Sequence, residues 1–266
     1  MKEKIRQIFA EEHLSELGFL PISHAKIINP RMMPSDIKSV VIFAVPYDLG
    51  QTYSDGVSAY AHIRDYHRYF GELFDKVLPK LRAEFHDESF YGFADHSPIA
   101  EKDAAAKAGL GMLGKHSLLI HPRYGSYVFL GSILTSMKIP CSVNQALSCL
   151  DCGKCAEMCP AMAISERGVD VTKCFSALSQ KKKLTDEESQ TLRQHHIAWG
   201  CDVCQKACPH NTDRKHTDIP FFIEQRHGGF CAQEIEAMSD AEFAQYAFSW
   251  RGKNRILQNL QNLADE

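Results

Sequence analysis

Eight of the ten cysteines in this 266-residue chain lie between residues 149 and 208, seven of them in two related runs. The first run spaces its cysteines by two, two and three residues and ends on a proline; its members are Cys149, Cys152, Cys155, Cys159 and Pro160. The second run, Cys201, Cys204, Cys208 and Pro209, repeats the later part of the first. Such short loops let several thiolates converge on one centre, and the proline then turns the chain away. This segment is therefore predicted to bind metal through sulfur.

The spacing is typical of proteins with two four-iron clusters, in which the fourth cysteine of a run serves the other cluster. By this exchange, one [4Fe–4S] cluster takes Cys149, Cys152, Cys155 and Cys208. The other takes Cys159, Cys201 and Cys204, and the best candidate for its fourth ligand is Cys174, which lies between the runs. Cys141 and Cys231 are left over and are expected to be small buried hydrophobic residues.

Two zinc sites of four cysteines each are the alternative interpretation. Zinc sites usually pair two C-x2-C units, whereas the third cysteine and the Cys-Pro ending favour iron. The implied role is one-electron transfer at a potential that the sequence does not fix.

Charge and hydropathy give no indication of a basic nucleic-acid-binding protein, a membrane protein or a secreted protein. The formal net charge of −3 gives no global basic field, so contact with nucleic acid would need a local patch. No apolar stretch approaches the length of a membrane span, and the amphipathic pattern from the first residues to Leu17 lacks the features of a signal peptide. We expect a cytoplasmic protein, in which clustered cysteines are ligands rather than disulfides.

The pattern predicts three segments, with an α+β or α/β fold overall. Residues 1–140 are expected to form an α/β domain, with strands at 40–45, 118–120 and 127–134 and helices at 60–85 and 100–108. Residues 141–219 are expected to form a ferredoxin-like domain with two [4Fe–4S] clusters, and residues 220–266 a helical tail.

A glycine-rich segment matches G-x-G-x-x-G with Gly109, Gly111 and Gly114, followed by Lys115 and His116. A dinucleotide loop must follow a strand and open a helix, but this segment follows a predicted helix and leads into a strand. The glycines are more simply explained by a tight turn, or by close approach of the backbone to a flat ligand.

Asp95 lies in a loop between the apolar residues 91–93 and the helix that holds Glu101 and Lys102. A carboxyl beside apolar surface can have a raised pKa and deliver a proton near neutrality. The simpler alternative is that Asp95 or Ser97 caps the helix, and Glu101 and Lys102 form a structural ion pair.

Several segments together resemble the epoxyqueuosine reductase family, in the order in which that family has them. They are Asp65-Tyr66-His67, Asp95-His96-Ser97-Pro98, Glu101-Lys102, Ala108 to Lys115, the cysteine pattern from Cys159 to Cys208, and Gly200 to Asn211. The resemblance implies a reductase, related to reductive dehalogenases, that uses cobalamin and two four-iron clusters to convert epoxyqueuosine to queuosine in tRNA. It also implies Asp95 as proton donor, corrinoid contacts near Gly109, Gly111, Gly114 and Lys115, no histidine ligand to cobalt, and a reduced ferredoxin or flavodoxin as electron donor.

The chain departs from the family pattern in three places. It ends at Glu266 without the family's helical-repeat domain, the segment between Leu20 and Val40 is short, and His116 replaces a common asparagine. Two further hypotheses therefore stay open: a corrinoid-dependent reductase of a small epoxide or halogenated compound, and an electron-transfer protein. A simple ferredoxin would not need the large amino-terminal domain.

Overall fold

The computed structural model describes residues 1–145, 147–224 and 226–264. Contacts divide the chain into two units. The first unit consists of Met1–Pro46, His67–Gly114 and Leu118–Leu150; the second consists of Tyr47–Tyr66, Lys115–Ser117 and Asp151–Glu266. The division into three domains by function stays a prediction.

The first unit is built on a four-stranded antiparallel sheet. Its elements are α1 (Lys2–Ala10), β1 (Leu17–Pro21), β2 (Ser39–Pro46), α2 (Tyr66–Glu84), β3 (Phe90–Ala94), α3 (Glu101–Lys107), β4 (Met112–Leu113), β5 (Leu119–Ile120) and β6 (Val128–Thr135), with short 3-10 helices at Ile22–His24 and Pro30–Met32. The strand order is β1-β2-β6-β3, and β4 pairs with β5. All eight residues of β2 are buried, which explains why this strand is a continuous apolar run in the sequence.

Helix α2 covers the sheet with one apolar stripe. From Phe70 onward its buried side chains recur every three or four residues, at Phe70, Leu73, Val77 and Leu81, and the adjacent Tyr69 is buried as well. The ring of Phe70 lies 6.0 Å from that of Phe43 on β2. Because every strand pairing is antiparallel, the α+β form of the predicted mixed fold is the accurate one.

The amino-terminal prediction was wrong in one respect. The helical pattern extends to Leu17 in the sequence, but α1 ends at Ala10, and Leu17 begins β1. Four of the five β1 residues are buried, and pairing with β2 gives their backbone groups hydrogen-bond partners within the sheet. The strands predicted at 40–45, 118–120 and 127–134 are confirmed as β2, β5 and β6. The helices predicted at 60–85 and 100–108 are confirmed as α2 and α3, although α2 begins only at Tyr66.

The second unit is mainly helical. Its elements are α4 (Lys154–Glu157), β7 (Ile164–Ser165), β8 (Gly168–Val169), α5 (Phe175–Ser179), α6 (Asp186–Gln194), α7 (Val203–Ala207), α8 (Pro220–Ile223), α9 (Ala232–Ala237), α10 (Asp240–Phe243) and α11 (Lys253–Ala264), with 3-10 helices at Ala59–Ala61, Pro209–Asn211 and Ser249–Arg251. Trp199 and Phe248 are fully buried at its apolar centre. In the described part of the chain, no helix has the length and hydropathy needed to cross a membrane.

Asn259 on α11 joins separate segments of the second unit. Its side-chain amide donates to the carbonyl oxygens of Ser179 and Ala198 at 3.0 and 2.7 Å, and its oxygen accepts a bond from Arg255 at 3.0 Å. Asn259 is only 3% exposed, so water cannot easily replace these bonds.

We expect Asn259→Ala to lower the free energy of unfolding by about 2 kcal/mol or more, because it leaves buried polar groups unpaired. Asn262→Ala is the matched control: Asn262 lies on the same helix, is less buried and makes one bond, to the Ser189 carbonyl at 2.8 Å. Denaturant titration of both variants would measure the difference. Equal losses would contradict the role given to Asn259.

Candidate functional site

The cysteine ligands predicted from the sequence lie in or beside short helices and in irregular segments. Seven of the eight lie in the second unit, and Cys149 lies in the first, where its amide donates to the Leu113 carbonyl at 3.0 Å. Cys155 and Cys208 are buried, and all ten cysteines are free thiols. Cys141 is partly buried and Cys231 exposed, so the expectation that both are buried was wrong.

Two thiols of the second unit, Cys201 and Cys204, have raised pKa values to which other cysteines contribute. Burial, together with nearby groups that include Cys174 and Cys159, raises the pKa of Cys201 to about 11 and that of Cys204 to about 12. Cys159, Cys174, Cys201 and Cys204 are the set assigned to the second cluster, and this contribution to the pKa values supports the assignment, which stays a prediction. Cys174 joins the set although it stands outside both runs.

A chain of hydrogen bonds through Ala163 and Asp170 connects Cys159 to Cys174. The amide of Ala163 donates to the sulfur of Cys159 at 3.4 Å, and the carbonyl of Ala163 accepts the amide of Asp170 at 2.8 Å. The carbonyl of Asp170 in turn accepts the amide of Cys174 at 3.2 Å. A hydrogen bond from a backbone amide to a ligand sulfur is one of the means by which proteins adjust the reduction potential of a cluster.

This donor set fits an iron–sulfur cluster chemically. Buried thiols with raised pKa values stay protonated near neutrality, and a metal centre supplies the positive charge that lets them ionise. Among the residues that the structure describes, no three His, Cys, Asp or Glu side chains are grouped as ligands of a single metal ion. A four-iron cluster needs no such grouping, because each thiolate binds a different iron.

Asp95 follows directly on the end of β3 and has a left-handed backbone, with φ of 62°. Its Oδ2 lies 2.9 Å from Nε2 of His67, in the first turn of α2, and the two side chains are 45% and 42% exposed. The capping interpretation was wrong, because the residue before α3 is Ala100 and no side chain caps that helix. Asp95 is thus left accessible for chemistry.

Glu101, the first residue of α3, is a second acid in this region. Its Oε1 accepts a hydrogen bond from the Ser132 hydroxyl at 2.8 Å. Burial raises the pKa of Glu101 to about 8, and the negative charge of Asp95 adds to the effect, while the bond from Ser132 opposes it. Glu101 therefore carries a proton at neutral pH.

The first part of the glycine-rich segment, with Gly109 and Gly111, forms the turn between α3 and β4, and Gly114 follows β4. Gly109 has φ of 86°, and a Cβ at Gly111 would lie 2.3 Å from the carbonyl oxygen of Ile120, so both positions require glycine for the fold itself. The amide of Gly114 donates to the Leu118 carbonyl at 2.9 Å. The context is helix, turn and strand, which is the reverse of a dinucleotide-binding loop.

Lys115 is held by two carboxylates of the second unit. Its Nζ lies 2.7 Å from Asp151 and 2.5 Å from Glu166, and these bonds raise the pKa of Lys115. The predicted corrinoid contacts at Gly109, Gly111, Gly114 and Lys115 stay a prediction.

Sequence reasoning gave no individual role to His67 or Ser132. Ser132 is fully buried in the middle of β6, and a hydroxyl between the apolar residues of a strand is a signal that could have singled it out. The pairing of His67 with Asp95 depends on the tertiary fold, because 28 residues separate them in the chain.

Models of two known families match separate segments of the chain. The family model described as "Epoxyqueuosine reductase QueG, DUF1730" matches residues 28–96, and that of a 4Fe-4S double cluster binding domain matches residues 148–211. The second match confirms the prediction of two four-iron clusters, while the assignment of individual ligands stays a prediction.

Solved structures confirm the mixed fold. The epoxyqueuosine reductase of Streptococcus thermophilus superposes with a TM-score of 0.82 at 22% identity, over 99% of this chain and 80% of that one. An epoxyqueuosine reductase with an epoxyqueuosine-modified tRNA-Tyr stem loop superposes with a TM-score of 0.80 at 23% identity, over 98% of this chain and 80% of that one.

Curated epoxyqueuosine reductases match in sequence over part of their length. That of Aliivibrio fischeri is 37% identical over 163 residues, which are 60% of this chain and 44% of the relative. That of Pseudomonas aeruginosa is 33% identical over 82% of this chain and 60% of its own length. That of Gloeobacter violaceus is 30% identical over 223 residues, which are 79% of this chain and 70% of the relative. The chain belongs to the epoxyqueuosine reductase family.

Proposed function

We propose that this protein is a cobalamin-dependent iron–sulfur reductase that converts epoxyqueuosine to queuosine in tRNA. The observation that carries the proposal is the accessible Asp95, paired with His67 in a chain that also has a double-cluster segment. A tRNA substrate is supported by the similar structure that contains an epoxyqueuosine-modified stem loop. A cytoplasmic location, where tRNA is modified, is part of the same proposal.

Removal of the epoxide oxygen requires both electrons and protons. Two electrons and two protons convert an epoxide to an alkene and water. The clusters would pass electrons singly, from a reduced ferredoxin or flavodoxin. Cobalamin, when bound, would supply a strongly nucleophilic metal, and the segment of Gly109, Gly111, Gly114 and Lys115 is the part of the chain proposed to hold it. This leaves proton delivery to the protein.

Asp95 is the proposed proton donor to the departing oxygen. Its exposed side chain can approach a substrate, and the imidazole of His67 at 2.9 Å orients the carboxyl. Glu101 keeps a second proton in the same region, because its pKa is raised to about 8. The two acids therefore have different environments, as expected where one group reacts and another supports it.

The direct test is to incubate the protein, with clusters and cobalamin loaded and a strong reductant present, with an epoxyqueuosine-modified anticodon stem loop. We expect mass spectrometry to show loss of one oxygen from the nucleoside. An untouched stem loop, together with reduction of another epoxide, would contradict tRNA as the substrate.

We predict that Asp95→Asn lowers turnover by about 100-fold or more, because the amide cannot donate an acidic proton. Asparagine tolerates the left-handed backbone at this position, so the loop should keep its shape. Iron content and cobalamin binding should match those of the wild type. Full turnover by this variant would remove Asp95 from the mechanism.

We predict that Cys174→Ala lowers the iron content from about eight to about four atoms per chain, because one cluster loses a ligand. Cys231→Ala is the control, since Cys231 is exposed and is not one of the eight predicted cluster ligands. Iron analysis and electron paramagnetic resonance would measure both variants. Full iron in the Cys174 variant would point to another ligand, with Cys141 the first to examine.

The raised pKa of Glu101 should make the free energy of unfolding depend on pH. Its pKa is raised from the usual 4.5 to about 8 in the folded chain, so between these values unfolding releases a proton. Stability from this group is therefore present below pH 4.5 and lost as the pH rises towards 8. We expect Glu101→Gln, which cannot ionise, to gain a few degrees in Tm over the wild type as the pH rises from about 5.5 to 8.5. A Tm difference that is constant across this range would contradict the raised pKa.

A further inference from the structure

Two buried serine hydroxyls link Glu101 to the loop that carries Asp95. The Ser132 hydroxyl donates to Glu101 at 2.8 Å, and the hydroxyl oxygens of Ser97 and Ser132 lie 3.3 Å apart. The amide of Ile99 donates to the Ser97 hydroxyl oxygen at 3.4 Å. A hydroxyl has only one proton, so when Ser132 directs its proton to Glu101 it accepts from Ser97. All three bonds therefore run in one direction and end at Glu101.

This line of bonds is shielded from water and anchored in the sheet. Ser97 is 5% exposed and Ser132 is fully buried. Ser132 lies in β6 opposite Phe93 of β3, so its position is fixed by strand pairing. Loss of any member leaves a buried polar group without its bond, which is costly. The line thus ties the loop after β3 both to the sheet and to the start of α3.

The loop needs such support because its exposed contact is weak and its backbone is strained. The pair of His67 and Asp95 is nearly half exposed, and exposed ion pairs contribute little stability. A residue with a side chain also pays a conformational cost at φ of 62°. Backbone bonds also anchor this loop, since the Pro98 carbonyl accepts the amides of Ile28 and Asn29 at 2.9 and 3.1 Å. The bonds of Ser97, two residues from Asp95, add a buried side-chain anchor to these.

We propose that Glu101, acting through Ser132 and Ser97, is a positioning residue that holds the Asp95 loop where Asp95 pairs with His67. The inference rests on the proposed role of Asp95 as proton donor and adds to it the group that sets its orientation. Glu101 acts as a hydrogen-bond acceptor in this role, so glutamine can replace it and alanine cannot.

Hydrogen exchange of the cluster-loaded protein tests this without a substrate. In Ser132→Ala and Glu101→Ala we expect amide exchange in residues 95–100 to accelerate about five- to tenfold, because the loop opens more often. Glu101→Gln should exchange like the wild type. The matched control is Ser39→Ala, since Ser39 is a buried serine on β2 whose hydroxyl accepts the Ile139 amide at 2.9 Å, away from the loop.

Turnover of the epoxyqueuosine stem loop gives the second readout. We expect Ser132→Ala to lower kcat about tenfold or more with KM within about twofold, because a misplaced acid affects the chemical step. Ser39→Ala should keep the wild-type kcat. Wild-type exchange and wild-type kcat in Ser132→Ala would overturn the inference. If the wild type itself does not convert the stem loop, the proposed function fails, and the exchange rates still decide whether Glu101 positions the loop.

Discussion

The pairing of β6 with β2 on one side and β3 on the other is the constraint on which the acid site depends. Eight residues of β2 and five of β3 are in register with β6. This register places Ser132 opposite Phe93 and ends β3 one residue before Asp95. A shift of one residue would turn Ser132 to the opposite face of the sheet. The position of the Asp95 carboxyl is therefore set by the strands that pair on either side of β6.

The second unit places cysteine thiols in an environment of low polarity. Burial and mutual proximity make Cys201 and Cys204 weak acids, and the surrounding short helices leave few alternatives for their position. Part of the unit's apolar core, around Trp199, includes side chains from α9 and α11, which carry no predicted ligand. Helical packing and metal binding thus contribute separately to this unit.

Local patterns in the sequence were sufficient for most elements and for the chemical class of the metal site. The apolar run 40–45 became a central strand, and cysteine spacing alone identified two clusters, because both signals lie within a few neighbouring residues. The end of α1 was misjudged because β1 has the same apolar character as the helix before it, and only pairing with β2 distinguishes them. The pairing of His67 with Asp95, and of Ser132 with Glu101, joins residues far apart in the chain, and no local pattern encodes it.

The left-handed backbone at Asp95 has an evolutionary consequence. Glycine adopts this conformation without steric cost, and asparagine is among the residues that tolerate it best. Random substitution of Asp95 by glycine would therefore relieve strain, and selection for stability alone would accept it. A lineage that lost its need for the reaction could discard the acid without harming the fold. In this family the aspartate would persist only while the product of the reaction is under selection, so its replacement by glycine in an otherwise intact chain would mark a change of function.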